Sequence, residues 1–372
     1  MISTILIVFF SLIGLITLHE LGHFVLARKF GVRVEEFGMF LPPRIWGKKI
    51  GETIYSINWI PAGAFVRLYG EDREDEPASD GREKERDPRS FGSKPIWQRA
   101  LIIAAGVISF WMISAVLMIY VAMTGTVAEV DDSQEMAGAQ VLVVSVAAGS
   151  PAESAGLLMG DIVEKMTLKN DIAQSVPIGK VGQIQEFAQA HKGEEILMDI
   201  ERAGQDSQVT LTPRVNPPVG EGAMGVGLAR IAQKTYTWQE AIGRGFSSTW
   251  NMTLGVFDGW GQMIGRLVNK QGLPPGTQLV GPVGIMQMMA NQVEMGANYY
   301  IQFVAMISVY LAVFNALPIP ALDGGRLMFL ALEAIRRKPV SQKIEQSLTM
   351  FFFMALMLFA LVVTIQDVGR LF

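Results

Sequence analysis

The sequence predicts an α-helical membrane protein with four transmembrane helices, an inserted α+β domain and a membrane-associated β-hairpin. Three observations lead there. Half of the 372 residues are hydrophobic, and they gather in four blocks separated by stretches of ordinary soluble composition. Each block approaches the ~20 apolar residues with which a helix crosses a ~30 Å hydrocarbon core. Between the second and third blocks the chain returns to strand-like patterning for about 100 residues, enough for one small domain.

The first block runs from Ile5 to Ala27. It lacks a basic n-region and a small-residue cleavage site, and it leads directly into His19, so it reads as a retained helix rather than a signal peptide. The second, Ala100 to Met123, carries no charge. The third reaches from Ile301 to Leu317, breaks at Pro318 and Pro320, and resumes from Leu327 to Ile335. A proline-interrupted span needs its freed backbone groups satisfied by protein or water, which suits a cavity lining. The fourth runs from Leu348 to Ile365. These blocks set transmembrane segments at residues 1–30, 96–125, 299–336 and 345–367.

Short basic loops set the orientation. Arg28, Lys29 and Arg33 follow the first span, Lys94 and Arg99 precede the second, and Arg336, Arg337, Lys338 and Lys343 lie between the third and fourth. Both loops are expected to be cytoplasmic, with both termini and the middle domain outside. A net charge of −4 without a basic stripe argues against nucleic acid as a partner, leaving the lipid bilayer. The absence of cysteine excludes disulfides, thiolate metal sites and cysteine nucleophiles.

Within the cytoplasmic loop, 31–95, residues 50–69 alternate as a hairpin: Ile54 to Trp59 leads to a turn at Pro61–Ala64, and Phe65 to Leu68 returns. Glu71 to Arg89 is dense in mixed charge and reads as a solvated linker. Residues 126–228 form the extracytoplasmic domain, with strands expected at 140–146, 195–202 and 208–212 and a helix at 184–190. Residues 229–298 read as an amphipathic helical region on the membrane surface.

His19-Glu20-Leu21-Gly22-His23 carries the chemistry. Positions i and i+4 share one helix face, so both imidazoles can meet one metal ion. Glu20 projects ~100° around the helix, beside the metal without ligating it, where it can take a proton from water. Two of only three histidines and a carboxylate inside an apolar span are costly and point to function. A catalytic zinc takes three protein ligands. With His191 in the middle domain, a carboxylate must complete the set. Asp323, within the broken third span, is a candidate, although it also suits the N-cap of the helix from Leu327. His19 lies about 14 Å of helix from Arg28 and Asp323 about 20 Å from Arg336, so the two motifs share a depth in the cytoplasmic half of the bilayer.

Ser150-Pro151-Ala152-Glu153-Ser154-Ala155-Gly156-Leu157 with Gly160-Asp161-Ile162-Val163 resembles the signature of PDZ domains in bacterial proteases. HExxH in a first span with Asn315-Ala316-Leu317-Pro318-Ile319-Pro320-Ala321-Leu322-Asp323-Gly324 in a later one resembles the site-2 protease family of intramembrane zinc metalloproteases, in its regulator-of-sigma-E protease type with a PDZ domain. Gly281-Pro282-Val283-Gly284-Ile285 is similar to a further family element. The likeness covers nearly the whole chain, with one departure: there is room for a single PDZ module where some members have two.

The resemblance implies one zinc per chain held by His19, His23 and Asp323, with Glu20 as general base, in a bacterial inner membrane. It implies single-span membrane proteins as substrates, among them anti-sigma factors or signal-peptide remnants. Asn315 is placed to support the oxyanion or hold the substrate, or else to pack helices. Gly63, Ala64 and Phe65 are placed to receive an unwound substrate by strand addition, or form a structural loop. Pro318 and Pro320 either hold the loop of Asp323 open or only kink it. A metal transporter, or a scaffold that binds partners through its PDZ module, remains the alternative. Glu20 argues against it, since a pure binding site gains nothing from a carboxylate that does not ligate.

Overall fold

The structure is a computed structural model that describes residues 2–71, 87–202, 204–218, 221–270 and 280–371. Its elements begin with α1 (Ile2–Lys29), β1 (Val34–Ile50), β2 (Thr53–Leu68) and α2 (Ile96–Thr124). There follow β3 (Thr126–Glu129), β4 (Gln140–Val146), α3 (Pro151–Ser154), β5 (Ile162–Leu168), β6 (Asp171–Pro177), α4 (Val181–Ala190), β7 (Ile196–Arg202), β8 (Gln205–Leu211) and β9 (Val226–Lys234). The last are α5 (Trp238–Val268), α6 (Pro282–Met295), α7 (Ala297–Asn315), α8 (Asp323–Arg336) and α9 (Gln342–Leu371). Residues 72–86 of the expected charged linker lie outside the described residues. The chain divides into two units, residues 1–121 with 237–372, and residues 122–236.

In the first unit, α1, α2, α7 and α9 each contain a stretch long and apolar enough to cross a membrane. Lipid is as apolar as their side chains, so close fit and interhelical hydrogen bonds hold such a bundle rather than exclusion of water. Val8 and Leu15 of α1, Phe110 of α2, Met289 of α6 and Tyr300, Val304 and Ile307 of α7 form one buried cluster. Tyr300 donates to Ser11 Oγ at 2.7 Å, and Ser308 donates to the Phe110 carbonyl at 2.7 Å. Gly22 of α1 lies where a β-carbon would meet Ser109 and the Ala105 carbonyl, so the absent side chain lets α1 and α2 approach.

The third apolar block divides into α7 and α8, with Pro318 and Pro320 between them. Neither proline can donate a backbone hydrogen bond. The link is closed locally, by Ile319 N to the Leu317 carbonyl (2.7 Å) and Leu322 N to the Ile319 carbonyl (2.8 Å). Thr349 of α9 donates to the Pro320 carbonyl at 3.1 Å. Gly324 and Gly325 press against the carbonyls of Ala316, Leu317 and Ile319, where any β-carbon would clash, and so α8 starts hard against the loop.

The sheet after α1 corrects the expected hairpin over 50–69. It begins at Val34, and residues 36–39 have partners on both sides: Ile54–Ile57 on one and Ala64–Arg67 on the other. The two arms expected to pair therefore flank β1 instead of each other. Among the described residues, 64–67 form an edge of the sheet, because their partners there lie in β1 alone. The sequence hid β1 because a buried carboxylate interrupts its apolar alternation: Glu36 is 5% exposed between buried Val34 and Gly38. That carboxylate accepts from Ser56 Oγ at 2.6 Å and pairs with Arg44 at 2.7 Å. Buried Asn58 donates to the Met39 and Phe40 carbonyls at 3.2 and 3.1 Å, holding the strand where Phe40 takes a positive φ of 67°.

Where the sequence suggests a surface helix, α5 packs on α2 and then on α7. Ala241, Gly245 and Thr249 are buried along the α5 seam, and Val256 packs on Val309 and Val313 of α7. Gly245 meets Ile119 and the Ala115 carbonyl, Thr249 meets Ser114 at 3.4 Å, and Thr253 accepts from Trp111 Nε1 at 3.1 Å. The partners descend along α2 as α5 ascends, so the helices are antiparallel. Small residues along the seam, unremarkable in sequence, permit the approach. Thr237 and Glu240 form the capping box that starts α5.

The second unit carries a seven-stranded sheet in the order β3-β9-β4-β5-β7-β8, with β6 beside β5. Val141, Val143, Val163, Met166, Ile196, Met198 and Ile200 alternate inward and pack on Ile184 and Phe187 of α4. Ser150 caps α3 by accepting from Glu153 N at 3.1 Å, and Pro151 occupies the first turn. Buried Asp161 binds Arg202 through two contacts of 2.7 Å and accepts from Leu158 N at 2.8 Å, joining the loop after α3 to β7.

Candidate metal centre

The i, i+4 spacing on α1 turns His19 and His23 to one side, and their Nε2 atoms lie 3.4 Å apart. From α8, Asp323 Oδ2 comes to 3.5 Å from His19 Nε2 and 3.4 Å from His23 Nε2. Glu20 Oε1 lies 3.9 Å from His19 Nε2. The centre is thus assembled from two ends of the chain.

Two features of the donor set fit a metal. Ligand atoms spaced 3.4–3.5 Å apart match the ~3.3–3.4 Å edge of a tetrahedron with bonds of ~2.0–2.1 Å, the zinc–nitrogen and zinc–oxygen distances. Asp323 Oδ2 is buried and has no hydrogen-bond partner of normal geometry among the described residues, an arrangement that a cation would relieve. The histidines are oriented for the same purpose. His23 Nδ1 lies 2.8 Å from the Ile102 carbonyl, which only accepts, so Nδ1 carries the proton and Nε2 presents a lone pair. His19 stacks on Phe110 at 4.4 Å and meets the His23 ring edge-on.

Gly106 of α2 escaped the sequence reading. A β-carbon there would run into both imidazoles, so α2 contributes an absence of side chain where the rings lie. A glycine in an apolar helix carries no signal of this kind until the facing helix is known.

The other predicted residues occupy separate places. Asn315 ends α7 and donates to the Leu311 carbonyl on its own helix at 2.9 Å. Pro318 and Pro320 lie in the link that leads to Asp323. Gly63 has φ of 77°, which only glycine adopts without strain, and Ala64 and Phe65 pair with Met39 and Gly38 at the sheet edge.

Four helices apt for a membrane, with His19, Glu20 and His23 of α1 meeting Asp323 of α8, are the arrangement expected of a membrane metallopeptidase. The model of peptidase family M50 matches residues 7–359, and the chain belongs to that family, the site-2 proteases. It is accordingly a zinc-dependent metalloprotease. It is 29% identical to the regulator of sigma-W protease RasP of Bacillus subtilis, over 96% of each chain. It is 28% identical to the zinc metalloprotease RasP of Geobacillus kaustophilus, again over 96% of each. A Clostridium perfringens protein, named as a candidate zinc metalloprotease, is 32% identical over 95% of each chain.

Proposed function

We propose that the chain hydrolyses peptide bonds within the transmembrane segments of single-span proteins, with His19, His23 and Asp323 holding one zinc ion and Glu20 acting as general base. The observation that carries this reading is the triangle of donor atoms at 3.4–3.5 Å with a carboxylate 3.9 Å from one corner. Zinc, when bound, supplies Lewis acidity to the scissile carbonyl and to water. Glu20 takes a proton from the attacking water and returns it to the leaving amine. The His23 bond to Ile102 keeps the ring turned to the metal through both transfers.

A helical peptide bond is shielded by its own hydrogen bonds, so the substrate unwinds before it is cut. The free edge at Gly63, Ala64 and Phe65 offers backbone groups to the unwound stretch. Asn315 either leaves Leu311 to support the oxyanion or holds the end of α7, and Pro318 and Pro320 keep the loop before Asp323 short of backbone donors. Residues 126–228 are proposed as a PDZ-like module outside the inner membrane that filters substrates or binds a C-terminus left by an earlier cut. The name of the B. subtilis relative, a regulator of sigma-W protease, supports a role in sigma-factor regulation, for which we propose an anti-sigma factor as substrate; clearance of signal-peptide remnants would use the same site.

Purified protein incubated in detergent with a panel of single-span helices tests the reading. Cleavage should stop with a strong chelator and in Glu20→Gln, while Glu20→Gln keeps one zinc per chain. Zinc-loaded wild type that cuts no panel member would favour a binding scaffold instead.

A further inference from the structure

Beyond the metal centre, two ion pairs anchor α8. Arg326, three residues past Asp323 and so one turn further on the same side, pairs with Glu71 Oε1 at 2.5 Å. Glu333 receives both terminal nitrogens of Arg99 from α2. Both pairs line one cavity of about 560 Å³ bounded by α2, α8, α9 and the residues Gly70, Glu71, Phe91 and Gly92. The Arg99 pair ties α8 to the helix that contacts the histidines. The Arg326 pair ties α8 to the sheet.

The second tie is short. Glu71 follows the end of β2 by three residues, and little in between can stretch. Tyr69 N donates to the Arg33 carbonyl at 2.9 Å, and the Tyr69 carbonyl accepts from Phe91 N at 2.8 Å. Gly70, with φ of 69°, sits against Ser90 where a β-carbon would clash. A stiff connection therefore runs from the edge segment 64–67 through Glu71 and Arg326 to Asp323. Arg326 is 49% exposed to the cavity, and pairs with so exposed a partner contribute little to stability. Its value is geometric.

Resting on the protease reading above, we propose that Glu71 is a positioning residue: its pair with Arg326 sets the distance between the sheet edge that takes the substrate and the carboxylate that completes the metal set. A substrate bound along that edge is thereby presented in one register. Loss of the pair should let it slide while the metal stays.

The test uses the full chain in detergent with a cleavable single-span helix, comparing wild type, Glu71→Gln, Arg326→Gln and the double variant. Zinc content, kcat, KM and the cleaved bond, read by mass spectrometry, are measured for each. Glu71→Gln should keep one zinc and the wild-type thermal midpoint, yet lose about tenfold in kcat and cut at neighbouring bonds as well. In the Arg326→Gln background, Glu71→Gln should add nothing further, because the two act as one unit. Glu71→Asp, which keeps the charge on a shorter arm, gives a second reading if the amide destabilises the protein, and should show the same spread of bonds. A single cleaved bond and wild-type kcat in both Glu71 variants, or losses that add in the double, would overturn the inference while leaving the protease reading intact. A wild type that cuts nothing would remove both.

Discussion

The Nδ1 atom of His23 on α1 lies 2.8 Å from the carbonyl oxygen of Ile102 on α2. One helical turn on, Gly106 leaves the space that the two imidazoles fill. A single turn of α2 thus both orients a ring and makes room for it.

Gly106→Ala should therefore weaken zinc binding by about 10–100-fold, the usual effect of disturbing groups around metal ligands. Alanine favours helix over glycine, so loss of helix cannot produce this result. Competition with a chelator of known affinity reads it. Unchanged zinc affinity would contradict the packing described.

Glu36→Gln removes the charge that Arg44 and Ser56 share beneath the sheet. We expect a loss of about 1–3 kcal/mol of local stability. It should appear as faster amide exchange in residues 34–40, 54–58 and 64–68, with α1 unaffected. Equal exchange in both proteins would show that the carboxylate does not hold the strands.

Asp367, near the end of α9, accepts from Gly281 N at 2.9 Å and Gly284 N at 2.8 Å, capping α6 from a distance in sequence. Asp367→Ala leaves both donors without that acceptor and should lower stability by about 1–3 kcal/mol. The thermal midpoint in detergent should fall, with the earliest loss of exchange protection in α6. A midpoint equal to wild type would rule the cap out as a structural tie.

Asp161 gives a pH dependence. Burial pushes its carboxyl upward, but the Arg202 bonds and the Leu158 N–H outweigh this and hold it below the usual aspartate range. A carboxyl lowered on folding stabilises above its unfolded value and loses that contribution as pH falls through the folded one. Its share is thus whole at neutral pH and fades below about pH 4. Asp161→Asn should cost about 2 kcal/mol at pH 7, less than a fully buried pair because Arg202 is 37% exposed. Exchange in β5 and β7 should rise in the variant at pH 7, with the gap to wild type narrowing on acidification. A gap that widens in acid would reverse the assignment.

Periodicity and motif spacing carried much of this into view. The first, second and fourth apolar blocks announce helices by length alone, and HExxH announces its own geometry because i and i+4 share a face. Asp323 is harder, since LDG before an apolar run also reads as a helix cap; the missing third histidine and the shared depth make it a candidate, and the resemblance to a family motif gives it the ligand role. β1 was illegible because Glu36, a buried polar residue, breaks the alternation by which strands are recognised. Gly106 and the small-residue seam of α5 were illegible for another reason: their meaning lies in the facing helix, which no local pattern contains. The Glu71–Arg326 pair joins residues 255 positions apart, and charge patterning reaches only a few.

The donor atoms also impose an order in time. His19 and His23 leave the ribosome early, whereas Asp323 follows roughly 300 residues later, about 15–60 s at ~5–20 residues per second. Until α8 is made and docked, the nascent chain has two of its three converging donors. On the proposed metal set, the hydrolase is therefore inert while its first span is threaded among other nascent spans, and it is armed only once α8 has joined α1.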